Sequence, residues 1–290
     1  MKKLIPVVLV FFSHCCFGQA GSEIFLFDLK ISSGKVILFG GVNITNHKGY
    51  DNQPFFHPST PILYFSSLND SGRSDIKYYD YRKGGTTNLT FTAEREFSPT
   101  VTPDGKFISC IIQRDNGVQD LGKYPINNGR PVVLISNMKV GYHAWTANDK
   151  LLLYVLADSV TNNLHYYDLS TRKDTIIATN PGRSLHKIPG QEAMSFIQKN
   201  IGKDWLIKRF DLKTCAISNI VPALPGQENL VWLNNNIILM SSGDKLFSYH
   251  VGTDKDWQPV IIEGDIALLK GLSRLATNTT NTKLAVVVSE

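Results

Sequence analysis

The side chains of this sequence that can hold an anion or move a proton lie far apart along the chain: Asp51, Glu96, His143, Arg183, His186, Lys270 and Arg274. Arg183, His186, Lys270 and Arg274 together suit a carboxylate, a phosphate or an acidic peptide segment, because charged donors bond oxyanions strongly. Glu96 with His143 suits the orientation of a polar substituent, or an acid/base pair. The competing reading is that these charges satisfy one another and the open backbone ends of strands, with water between them, as structural ion pairs commonly do. His143 and His186 can each equally be packed histidines. Motifs of familiar chemistry are missing: the sequence has no G-x-S-x-G, no H-E-x-x-H, no C-x-x-C, no EF-hand loop and no glycine-rich phosphate loop. No catalytic residue, metal ligand or cofactor is therefore assigned.

What can bring such distant residues together is repetition. Gln53 to Phe65 (QPFFHPSTPILYF) and Ser98 to Cys110 (SPTVTPDGKFISC) superpose without gaps at a shift of 45 residues, Pro54 on Pro99 and Pro58 on Pro103. Each reads as an extended segment, a proline turn and an apolar strand. In the second copy Pro103 suits the first corner of a turn, Asp104 bonds its own backbone, and Gly105 takes positive φ at no steric cost. Looser copies begin at Tyr142, Ser184, Asn229 and Leu272. One apolar anchor precedes each turn, namely Phe56, Val101, Trp145, Ile188, Trp232 and Leu275, at spacings of 45, 44, 43, 44 and 43. A second series sets an aliphatic residue three positions before an aromatic one: Ile76-Tyr79, Leu121-Tyr124, Leu164-Tyr167, Ile207-Phe210 and Leu246-Tyr249. Its sixth member, Ile24-Phe27, lies ahead of the first anchor.

This pattern predicts an all-β chain folded as a six-bladed β-propeller with about 44 residues per unit. The offset of the second series predicts a closing blade shared between the chain ends. Ser273 to Glu290 would supply its inner strands and Ser22 to Gly40 its outer ones, which protects strand edges. In such a ring the residues just before the anchors converge on the central channel, although they are about 44 apart in sequence. The candidate ligand-binding residues at the channel mouth are then Glu96, His143, Arg183, His186 and Arg274. Strand alternation turns one ring of Tyr78-Tyr79 and of Tyr166-Tyr167 inward. The other ring, Tyr78 and Tyr166, is left as an outward contact patch.

Residues 1–18 read as a secretory signal peptide: Lys2 and Lys3, an apolar run from Leu4 to Phe12, then a small-residue exit with cleavage after Gly18 or, alternatively, after Ala20. His14 before Cys15 speaks against lipid-modifying processing. Residues 19–290 form one domain with no linker and no apolar stretch long enough to span a bilayer. Loss of Lys2 and Lys3 leaves 28 basic against 25 acidic side chains, a net charge of +3. That balance is too mild and too evenly spread for a nucleic-acid groove. Cys110 and Cys215 fall two blades apart and are expected to be buried free thiols.

The run Ser98-Pro99-Thr100-Val101-Thr102-Pro103-Asp104-Gly105-Lys106-Phe107-Ile108 resembles the core repeat of the TolB-like, WD-repeat-like propeller family, in which an S-P-D-G-K turn joins the first two strands of a blade. The resemblance covers the chain from residue 19 onward as architecture. It leaves no room for the separate N-terminal domain of TolB, or for the peptidase domain fused to other relatives. By fold analogy it implies a binding or scaffold role in the cell envelope. The expected function is an exported, periplasmic or secreted, monomeric scaffold without chemistry of its own, taking a protein or a small anionic ligand at one channel mouth. The alternative is a lactonase-like hydrolase or a lyase working at the channel.

Overall fold

Each sequence repeat becomes one small antiparallel sheet. The apolar run after each turn, such as ILYFSSL (Ile62–Leu68) or FISCIIQ (Phe107–Gln113), forms the second strand and is buried on both faces. The computed structural model describes residues 20–127, 129–157, 161–200, 202, 204–234, 236–264 and 269–290, so the leader read at 1–18 lies outside the described residues. Among the described residues every regular element is a strand. Five four-stranded blades follow one another along the chain, with inner strands Asp51–Phe56, Arg95–Val101, Val140–Ala147, Pro181–Lys187 and Leu230–Leu233. We number them 1 to 5. No helix among the described residues is long and apolar enough to cross a membrane.

The sixth blade is composite, as the offset of the two sequence series predicts. Leu275–Thr277 and Lys283–Ser289 form its inner pair, and Ser22–Ser32 and Lys35–Asn43 lie outside them. The N-terminal strand pairs with the C-terminal one from Ser22 opposite Ser289 to Asp28 opposite Lys283. A short fifth strand, Ile261–Ile262, adds in parallel to Lys35–Asn43, which the sequence pattern does not foretell. The inner strands touch around the whole ring, Leu275–Thr277 meeting both Leu230–Leu233 and Asp51–Phe56.

The aromatic series holds register throughout. Tyr79, Tyr124, Tyr167, Phe210, Tyr249 and Phe27 stand opposite Leu63, Ile108, Leu151, Met194, Ile238 and Leu284. The anchor series holds in four blades, where Phe56, Val101, Trp145 and Trp232 stand opposite the same second-strand row. In blades 4 and 6 that place belongs to Lys187 and Thr277, one and two residues from the expected Ile188 and Leu275. Sequence spacing counts bulge and turn residues that strand register ignores.

The two tryptophan anchors also cross-link blades. Trp145 Nε1 donates to Ser109 Oγ and Trp232 Nε1 to Ser195 Oγ, each at 2.8 Å and each to the preceding blade. Trp232 is buried, whereas Trp145 is only partly so. Trp232→Ala is therefore expected to cost about 3–5 kcal/mol in urea denaturation, and Trp145→Ala less. Equal and negligible losses would show that neither indole supports the ring.

The expected outward patch is corrected by a property of the ring: a blade has a neighbour on each face, so strand alternation separates one blade interface from the other rather than core from solvent. Tyr78 packs against Tyr64, with ring centroids 6.0 Å apart, and Tyr166 packs edge-on against Phe210 at 5.2 Å, so neither is a free outward patch. Both cysteines are free. Cys110 is buried as expected, but Cys215 is exposed, in a tight turn where its φ is 59°.

Candidate functional site

The inner strands of the first four blades carry extra residues relative to their partners. The register slips between Asn52 and Phe55, between Phe97 and Thr100, between Val140 and Tyr142, and over the longer stretch from Pro181 to Leu185. A bulge bends its strand and re-aims the side chains there. In blades 1 and 2 the bulge is made by Gln53-Pro54 and Ser98-Pro99, the pair that superposes in the sequence. Gln53 and Ser98 hold φ of 59° and 56°, a region that residues other than glycine seldom occupy. Gln53 Oε1 accepts from the Ser98 backbone N–H at 2.7 Å and from Ser66 Oγ at 3.0 Å. The amide displaced from the ladder thereby keeps a partner.

The bulged residues line two adjoining cavities on the ring axis. The narrower, about 110 Å³, is walled in part by Ser98, His143, Ser184 and His186. The wider, about 530 Å³, takes in Tyr50, Gln119 and Tyr154, and the two share Gln53, Tyr142, Arg183, Asn229 and Arg274. No aspartate or glutamate is among the lining residues of either. Arg274 donates to Tyr142 Oη at 2.8 Å and lies 4.8 Å from the centre of that ring. Arg183 Nε is 3.1 Å from Glu228, whose other oxygen is 3.3 Å from Lys199 Nζ. Burial pushes the Tyr50 hydroxyl up to about 12, against the pull of Arg274 and Arg183. The channel is thus polar, aromatic and cationic.

No protein-family model matches the chain, and no curated protein sequence matches it. Solved structures do. TolB from Acinetobacter baumannii superposes with a TM-score of 0.59 at 10% identity, over 93% of this chain and 64% of that one. A protein from Agrobacterium tumefaciens described as a TolB superposes with a TM-score of 0.70 at 12% identity, over 94% of this chain and 99% of that one. The fold is TolB-like. This chain spans 64% of the length of the Acinetobacter protein, and at such identities the likeness is one of architecture.

In this TolB-like propeller the five residues expected at the channel mouth divide. His143, Arg183, His186 and Arg274 line the narrow cavity. Glu96 does not reach it. Its side chain is fully buried between blades 1 and 2, accepting from Thr92 Oγ1 at 2.5 Å, Tyr124 Oη at 2.9 Å and Thr90 Oγ1 at 3.1 Å. Burial raises its pKa, and those three bonds oppose the rise. Glu96 and His143 are therefore no acid/base pair: Glu96 cross-links blades, and alternation hands the channel to its neighbour Phe97. Asp51 is also fully buried away from the channel. Both of its carboxylate oxygens lack a hydrogen-bond partner, and His47 Nε2 stands 3.3 Å from one of them. Burial lifts its pKa to about 6.

The histidines are held neutral. His143 Nε2 is 2.7 Å from Ser109 Oγ, and burial lowers its pKa to about 3. Ser109 Oγ donates to Thr100 O at 3.0 Å and accepts from Trp145, so His143 completes its shell by donating from Nε2. His186 Nε2 lies 3.0 Å from Ser184 Oγ. Burial, with the nearby charge of Arg274, brings its pKa to about 4. Sequence reasoning missed Tyr142 and Gln53. The repeated Gln-Pro and Ser-Pro steps were the available signal, since they mark the bulges that open the channel.

Proposed function

We propose that this chain is an exported binding propeller without chemistry of its own, which holds an anionic group of a partner protein or small ligand in the wide part of its channel. The observation that carries this reading is Arg274. Among the described residues it has an aromatic partner and no carboxylate, and it opens on a cavity whose lining holds no acid. A guanidinium held against a ring, with donors left over, is preorganised for an incoming carboxylate. Arg183 is the weaker contributor because Glu228 already engages it. The two neutral histidines wall the narrow part of the channel and add no charge to it. Export rests on the basic, apolar and small-residue succession of residues 1–18, which also supports a periplasmic or secreted location. The TolB-like architecture supports a scaffold role by analogy alone.

Calorimetric titration with citrate and with an acidic hexapeptide tests this. Binding should weaken with added salt, and Arg274→Gln should reduce affinity about tenfold, the loss of one charge-assisted contact. Arg183→Gln should cost less. If neither probe binds, or if Arg274→Gln leaves binding unchanged, the channel does not serve as an anion site.

A further inference from the structure

A larger cavity lies off the axis, in the cleft between blades 1 and 2, at the end of the sheets where the proline turns sit. It measures about 900 Å³, more than either channel cavity. This interface lacks the tryptophan bridge found between other blades. Trp145 and Trp232 reach into the blade before them and bond Ser109 and Ser195. Blade 2 carries Val101 at the anchor position, with no indole to extend, and Tyr64 stands at the place of Ser109 and Ser195 in blade 1. Val101 is packed with Tyr64 in the core and does not line the cavity, whose walls are aromatic rings. Tyr64 and Tyr78 lie 6.0 Å apart between centroids with their planes tilted by 60°, and Phe107 lines the other side.

The rim is cationic. Arg82, Lys83 and Lys106 are exposed lining residues. The one acid of the lining, Asp80, is committed to the turn: its Oδ1 accepts from the backbone N–H groups of Arg82 at 2.9 Å and Lys83 at 3.1 Å. That places two flexible cations beside a tightly capped carboxylate, with Lys106 on the facing turn. Aromatic and apolar walls with polar groups that can fix orientation suit a small-molecule site.

We propose that the cleft between blades 1 and 2 is a second binding site, distinct from the channel, for a small aromatic carboxylate. The ring lies between Tyr64, Tyr78 and Phe107, and the carboxylate faces Arg82, Lys83 and Lys106. Aromatic walls select a flat ring through offset and edge contacts, and the rim selects negative charge.

Calorimetry or ligand-observed NMR with 4-hydroxybenzoate decides it, with 4-hydroxybenzyl alcohol as the neutral comparator and cyclohexanecarboxylate as the non-aromatic one. The expected result is saturable binding of 4-hydroxybenzoate about tenfold tighter than of either comparator. The Arg82→Gln, Lys83→Gln, Lys106→Gln variant, altered only at exposed positions, should bring the anion down to the level of the alcohol. Arg274→Gln should change nothing, which separates this site from the channel. Equal affinity for the three probes, no saturation by any of them, or a response to Arg274→Gln in place of the rim variant would each overturn the proposal.

Discussion

Deletion of Ser22 to Asp28 is expected to remove the cooperative unfolding transition of the whole domain. The segment pairs residue for residue with Lys283–Ser289 and buries Ile24, Phe25, Leu26 and Phe27. Four large apolar side chains at about 1.5–3 kcal/mol each amount to about 6–12 kcal/mol. That matches the entire stability of an ordinary domain, about 5–15 kcal/mol. The loss is not confined to blade 6. The freed edge of Lys283–Ser289 would expose the strand that backs Leu275–Thr277, whose contacts with blades 1 and 5 complete the ring. Urea denaturation followed by circular dichroism checks this, with Ile261→Ala and Ile262→Ala on the short parallel strand as the mild control. An unchanged midpoint after the deletion would mean that the ring does not depend on the shared blade.

The second large effect is acid sensitivity. His143 has a pKa of about 3 in the folded protein, while an unfolded histidine has about 6.5. Below pH 6.5 the unfolded chain takes up a proton that the folded one refuses, so stability falls as pH drops toward 3. By pH 5 the loss from this residue is about 2 kcal/mol. His186, brought to about 4, acts in the same direction. Asp51 acts in the opposite one. Its pKa of about 6 exceeds that of an unfolded aspartate, so the folded state binds a proton first and gains stability as pH falls from 6 toward 4. His143→Gln, which keeps a donor within reach of Ser109, should therefore flatten the loss of melting temperature between pH 7 and pH 5. Asp51→Asn should steepen it. If both variants keep the slope of the parent, these buried groups do not govern the acid limb.

Most of the architecture was legible in the residues. The aromatic series from Phe27 to Tyr249 keeps register in all six blades because each member fills the same place opposite an aliphatic second-strand residue. The early position of Ile24-Phe27 foretold the composite blade, since a ring with a missing outer pair at one end and a spare pair at the other has one way to close. The anchor series was less faithful. Bulge and turn lengths entered its spacing, and it slipped at Ile188 and Leu275.

The candidate site was legible only in part, for a geometric reason. Repetition brings His143, Arg183, His186 and Arg274 to one axis, and a sequence can show repetition. It cannot show which face of a blade each side chain takes when both faces are covered. Glu96 and Phe97 are neighbours in sequence, yet one is locked between blades by Thr90, Thr92 and Tyr124 while the other borders the channel. The pairing of Arg183 with Glu228, the ring of Tyr142 beneath Arg274, and the cleft between blades 1 and 2 all depend on contacts between separate blades. By itself the sequence determined the number of blades, their strand order and the way the ring closes, because these follow from local periodicity and chain connectivity. Tertiary structure alone decided which charges face the axis and which are neutralised, because bulges a residue or two long redirect side chains and only the packed ring brings their partners within reach.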